Sequence, residues 1–197
     1  MLVRHPFLFP DAIQVNIYSK SKIMKTIKSL LLLAAIIISS VTVKAQFVKA
    51  ELQVSGLTCS MCQLATQKSL KTLSFISDIK PDLNKNLFVL SFKPGSSVDL
   101  DLIRKKVKDA GFSVNKLVAT FNADKLSISN NYHFKYAGTI YHFMDVPTKT
   151  LDGNVRLTVI SNGFIPAADY KKYASETTYS CYKTGTMGKE KVVHVTI

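Results

Sequence analysis

Gly56-Leu57-Thr58-Cys59-Ser60-Met61-Cys62 is the stretch around which the first half of the chain organises itself. Two thiols separated by two residues, with a glycine ahead and a helical pattern behind, describe a loop that turns into a helix. Upstream, residues 47–54 alternate loosely and read as a first strand. Downstream, Cys62, Thr66, Ser69, Leu70 and Leu73 recur at helical spacing. Residues 76–83 read as a second strand, which Pro81 confines to an edge or a bulge. Asn84-Lys85-Asn86 supplies a turn, and 87–92 is a strongly β-prone third strand. A second helix starts near Asp99, which can cap it and favours the positive end of its dipole. Leu100, Ile103, Val107 and Ala110 form its inward stripe, and Gly111 ends it in the C′ position. Phe112-Ser113-Val114 opens a fourth strand. The order βαββαβ is the ferredoxin-like split arrangement, an α+β architecture.

The same stretch carries the chemistry. Two thiols this close in sequence can converge on one ion from a single loop. Thiolates select copper(I), zinc(II) and other thiophilic ions over magnesium or calcium. A helix start beside the pair lowers a thiol pKa and favours the thiolate that binds metal. Two sulfurs suit copper(I), with mercury(II) chemically equivalent. Zinc(II) wants about four ligands in a structural site, and no Asp, Glu or His flanks Cys59. The competing readings are a plain disulfide and a thioredoxin-like redox pair. Against the latter, no Trp precedes Cys59. Met61 is expected to pack or face solvent rather than bind, and Phe112 to lie under the loop as a core residue.

These residues resemble the heavy-metal-associated domain family of copper chaperones, metal-pumping P-type ATPases and periplasmic mercury-scavenging proteins. The resemblance covers residues 46–116. It rests on Gly56-Leu57-Thr58-Cys59-Ser60-Met61-Cys62 against the family's G-M-T-C-x-x-C, and on Asp109-Ala110-Gly111-Phe112 against its late A-G-Y/F. Leu57 stands where Met is usual, a volume-similar exchange. Phe75-Ile76 replaces the usual Gly-Val pair before the second strand. The resemblance implies Cys59 and Cys62 as metal ligands, with copper(I) as cargo ahead of mercury(II) or zinc(II). It also implies a metal-donor or metal-acceptor partner such as a heavy-metal transporter, and allows a metal-bridged dimer. A mercury scavenger, a metal-dependent partner-binding module and a thiol-disulfide oxidoreductase are the alternatives.

Export is the expected context. Met24-Lys25-Thr26-Ile27-Lys28 is a basic n-region, followed by the apolar run 30–38 and a polar-branched stretch to Val43-Lys44-Ala45. Cleavage after Ala45 fits a signal peptide at 24–45 and a periplasmic or otherwise exported product. The apolar part is shorter than the roughly 20 residues a spanning helix needs, so no stable membrane span is expected after processing. Residues 1–23, with Pro6 and Pro10 and mixed polarity, fit no targeting logic and read as a non-native upstream extension. The formal charge of +13 comes from 26 basic and 13 acidic residues. Residues 1–45 hold six of those bases and one acid, which leaves +8 on the rest. Arg104-Lys105-Lys106 with Lys108 is the densest basic cluster, and it reads as a solvated helix face. No basic run interleaved with aromatics occurs on a base-reading motif, so no nucleic-acid partner is expected.

The second half is rich in alternation and poor in helix. Residues 117–131 are expected to form a polar, extended connector with room for a strand, and 132–197 a small β-rich domain, barrel or sandwich, OB-like in element order. Residues 132–145 form a β-prone stretch broken at Ala137-Gly138. Asp152-Gly153-Asn154 and Asn162-Gly163 read as turns. Residues 166–175 suit a short helix with Pro at its first turn, and 177–182 and 192–197 read as closing strands. His133, His142, Met144, Cys181 and His194 are acceptable copper ligands, but none has tight ligand spacing, and the expectation is scattered core or surface positions. No Ser/His/Asp set, carboxylate pair or phosphate loop stands out, so no enzyme is expected.

Overall fold

β1 (Gln46–Ser55) shows why its alternation is loose: a bulge between Phe47 and Lys49 puts Phe47, Ala50, Leu52 and Val54 inward together. The computed structural model describes residues 46–197, and β1 has a strand on either side in its sheet. After β1 come α1 (Ser60–Lys71), β2 (Ile76–Asp82), β3 (Leu87–Phe92), α2 (Leu100–Asp109) and β4 (Ser113–Ile128). β1 pairs antiparallel with β3 and β4, and β2 closes the edge next to β3. Pro81 therefore sits on an edge strand, and that strand carries a bulge at Ile76/Asp78, as the residues require. This is the ferredoxin-like βαββαβ arrangement.

Both helices cover one face of this sheet. Leu70 of the first helix and Leu73 just past its end join Leu100, Ile103 and Val107 of the second in one core with Leu52, Phe88 and Leu90. Ser69 Oγ donates to the Lys106 carbonyl at 2.8 Å and fixes the two helices to each other. Asp99 caps α2 as expected, accepting from the Asp101 and Leu102 amides, and Gly111 takes φ +90° just past its end.

Beyond residue 113 the chain departs from the expected layout. Residues 117–128, expected as an extended connector with room for a strand, are the body of β4, a 16-residue strand. Leu117, Ala119, Phe121 and Ala123 are buried on one face, and Val118 and Thr120 between them are buried as well, as in a strand flanked by others on both sides. One side of β4 pairs with β1 and the other with β7 (Lys149–Val159). β5 (His133–Tyr136), β6 (Thr139–Phe143) and β9 (Glu190–Thr196) continue the same sheet in the order β2-β3-β1-β4-β7-β9-β6-β5, with the short β8 (Thr186–Met187) beside β9.

No closed barrel forms among the described residues, because no ladder joins β5 back to β2. Phe47 of β1 nevertheless reaches Tyr136 of β5 at a ring distance of 5.8 Å, and both touch Phe121. The open sheet is thus plugged by an aromatic cluster.

Two local expectations change. Asp152-Gly153-Asn154 lies inside β7 and makes no chain reversal; the irregularity is a bulge in the facing strand between Ala123 and Leu126, with Lys125 at φ +45° and Gly153 at φ +67°. Residues 177–182 form no strand. They lead into the short helix α4 (Ser180–Thr184), stopped by Gly185 at φ +70°. Burial of Cys181 and Tyr182, with the Tyr182 hydroxyl donating to the Ile160 carbonyl at 2.7 Å, overrides their β propensity. The helix expected at 166–175 is α3 (Ala167–Glu176), with Pro166 at its entrance. The expected leader and upstream extension lie outside the described residues. Among the described residues, no helix is long and apolar enough to cross a membrane.

Candidate metal centre

The loop 56–59 leaves β1 at Ser55 and enters α1 at Ser60. Gly56 takes φ +90°, a conformation that L side chains rarely adopt, and a Cβ there would lie 3.5 Å from the Phe112 ring. Phe112 packs against the core from below, and Leu57 does the same from within the loop. Thr58 and Cys59 are exposed, Cys62 is half-buried, and Met61 is 70% exposed. The loop therefore presents sulfur outward on an apolar footing.

Cys59 is the N-cap of α1. Its Sγ accepts from the Cys62 amide at 3.3 Å and lies 2.6 Å from the Cys62 Sγ; both thiols are free. The Cys62 thiol donating to Cys59, then the Cys62 amide, hold the Cys59 thiol below its ordinary value. The neighbouring sulfur pushes Cys62 the other way. Cys59 is thus the first thiolate of the pair, favoured by the unsatisfied amides of the helix start. The sequence places the helix start beside the pair; the cap position gives the advantage to Cys59.

A family model, the heavy-metal-associated domain, matches residues 51–113, which run from β1 through both helices to the start of β4. Residues 51–113 are a heavy-metal-associated domain. Over 67 residues the chain is 39% identical to the probable copper-transporting ATPase HMA5 of Arabidopsis thaliana, a stretch covering 34% of this chain and 7% of that protein. Among solved structures, apo-CopP from Helicobacter pylori is 30% identical, covering 34% of this chain and 97% of that one with a TM-score of 0.30. Oxidized MerP from Ralstonia metallidurans CH34 is 25% identical, covering 36% and 97%, also with a TM-score of 0.30.

The basic cluster beside the heavy-metal-associated domain's second helix is partly used internally. Arg104 bonds Asp101 at 3.4 Å and lies over the Phe164 ring at 5.7 Å, while Lys105 and Lys108 remain exposed.

The five residues of the second half separate into groups. His133 and His142 stack at a ring distance of 4.0 Å, and Cys181 Sγ lies against both. His194 touches the His142 ring at 5.2 Å, but its Nδ1 faces Ser161 Oγ at 3.3 Å. Met144 is buried elsewhere, against Ile160 and Tyr182. Three of the five residues expected to be scattered are therefore brought together.

Proposed function

We propose that this protein captures a soft metal ion, copper(I) by preference, between Cys59 and Cys62 and passes it to a thiol-bearing acceptor. The observation that carries the reading is the exposed, convergent thiol pair at a helix start, with the thiolate favoured on Cys59. Similarity to a protein named as a copper-transporting ATPase supports copper as the cargo.

Transfer follows from the asymmetry. An ion held linearly by two bonds of about 2.3 Å needs the sulfurs to part. Cys59 lies outside the helix and is exposed, so it is the sulfur free to swing. It can also accept or release an ion first, while Cys62, half-buried at the first turn, retains the other bond. Thiolate exchange with a partner's thiols then moves the ion without leaving it bare. The acceptor is a metal transporter or chaperone of similar sulfur chemistry, in an exported setting reached by the signal sequence at 24–45.

Anaerobic titration of the reduced protein with copper(I) against a chromophoric chelator tests this. Copper(I) is expected to resist zinc(II) in competition, and Cys59→Ser or Cys62→Ser to weaken uptake at this loop at least tenfold. Unchanged affinity in both variants would remove the proposal. N-terminal sequencing of the protein recovered from its native host tests export: a mature chain beginning at Gln46 is expected, and one retaining residues 24–45 counts against it.

A further inference from the structure

Strand register creates a second cluster that no sequence spacing announces. His133 is paired with His142 across the β5–β6 hairpin, and His142 with His194 across the parallel β6–β9 ladder. Directly paired residues project to the same face of a sheet, so three imidazoles stand side by side on one face. The helix α4 lies over that face and lowers Cys181 onto it. Its Sγ is 3.7 Å from His142 Nδ1 and 3.8 Å from His133 Nε2, and the three donor atoms all lie within 4.8 Å of one another.

The two sulfur–nitrogen distances fit coordination, and the half-buried His133 ring must turn out of its stack with His142, planes 12° apart, for both lone pairs to meet one ion. An ion about 2.1 Å from imidazole nitrogen and about 2.3 Å from sulfur sets those two donors about 3.6 to 3.8 Å apart at angles between tetrahedral and trigonal. A thiol–imidazole hydrogen bond spans the same distance, so in the metal-free chain the Cys181 thiol bridges the two rings and holds the donors together. Burial gives a second, separate indication. His142 is 0% exposed and Cys181 3%, while His133 is half-buried and leaves one approach open. Among the described residues, His142 Nε2, on the far side of the ring from the Nδ1 that faces Cys181, and His194 Nε2 have no hydrogen-bond partner, so the rings are not tied down by other polar groups. An enclosed thiol–imidazole cluster with its three donor atoms within 4.8 Å of one another is what a site for a soft ion looks like.

We propose that His133, His142 and Cys181 form a second metal site, taking copper(I) in a three-donor thiolate–imidazole set. No carboxylate joins the cluster, which disfavours hard cations. Zinc(II) would need about one further ligand, and His194 is turned toward Ser161. Copper(I) is satisfied by three donors of this softness. On binding, Cys181 gives up its proton to solvent and the ion takes its place between the sulfur and the two neutral rings, with no change of oxidation state. The site is independent of the thiol pair at 59 and 62: its three donors come from β5, β6 and α4, none of which belongs to the heavy-metal-associated domain.

The test counts copper(I) in the reduced full chain under anaerobic competition. Two ions per wild-type chain are expected, and one in Cys59→Ser/Cys62→Ser. Adding Cys181→Ser to that double variant should abolish the remaining ion, and adding His133→Asn should weaken it at least tenfold. His133 is partly exposed, so its variant reports on binding with little burden on folding, checked by circular dichroism. In the double variant, copper(I) should also protect Cys181 from alkylation. A double variant that binds nothing overturns the second site while leaving the first intact. One ion retained through both Cys181→Ser and His133→Asn overturns it too, and zinc(II) displacing copper(I) there overturns the choice of ion.

Discussion

Cys59 has two tasks that can be separated chemically. It caps α1 through its sulfur, and it is the favoured thiolate of the pair. Serine is itself a strong cap, whereas alanine in that position typically costs about 1 kcal/mol. Cys59→Ser should therefore melt within a degree or two of the wild type while binding copper(I) at this loop at least tenfold more weakly, and Cys59→Ala should melt measurably lower. Mapping by mass spectrometry under limiting alkylating agent should find Cys59 modified ahead of Cys62. The reverse order would contradict the assignment of the first thiolate. This division of roles was half legible in the residues: the C-x-x-C spacing and a nearby helix were plain, but which sulfur occupies the cap depends on where the helix begins, and a one-residue boundary decides it.

At the scale of elements, β5, β6 and β9 hold a row of imidazoles in surroundings that keep them neutral. Burial draws His142 down to about 4, helped by the charge His133 would carry, and His194 to about 3, helped by His142 and His133. Tyr179 and Cys181 face His142, and Tyr182 and Ser161 face His194, so no carboxylate offsets the effect. In the unfolded chain both rings titrate near 6.5. Between that value and about 4, the unfolded state takes up protons that the folded state refuses, so stability is lost as pH falls. Above pH 7 both states are neutral and the contribution is fully present. Thermal melting of the metal-free protein should be flat from pH 8 to 7 and fall steadily from about 6.5 toward 4. Replacing His194 by Gln should flatten the slope; equal melting at pH 5 and 7 in the parent would contradict it. None of this was visible in the residue pattern, because His133, His142 and His194 become neighbours only through two strand pairings, one of them parallel.

For the molecule as a whole, β4 is the decisive element. It is shared between the ferredoxin-like unit and the added strands, giving one continuous hydrophobic core from Leu52 to Val195. The bidentate pair of Arg156 on β7 with Glu51 on β1 reaches across β4 at 2.6 and 2.8 Å, tying both sides from the exposed face. Such a body should unfold as a unit. Calorimetry of the metal-free chain should show a single transition with matching calorimetric and van't Hoff enthalpies, whereas two resolved transitions would mean that the strands beyond β4 form a separable domain. The reading of 117–131 as an extended connector with room for a strand understates β4, because polar Asn122, Asp124 and Lys125 interrupt the stretch, though Leu117, Ala119, Phe121 and Ala123 are all buried.

The sequence by itself determined the βαββαβ half and its outward-facing thiols, because those features are local: helical spacing, a cap, a glycine at a positive φ, and two cysteines on one loop. Only the tertiary structure decided that the remaining strands extend the same sheet and that Cys181 meets His133 and His142, which lie 48 and 39 positions away in the chain. Strand neighbours and register are set by which faces can be buried together, a property of the assembled core that no short window of residues contains.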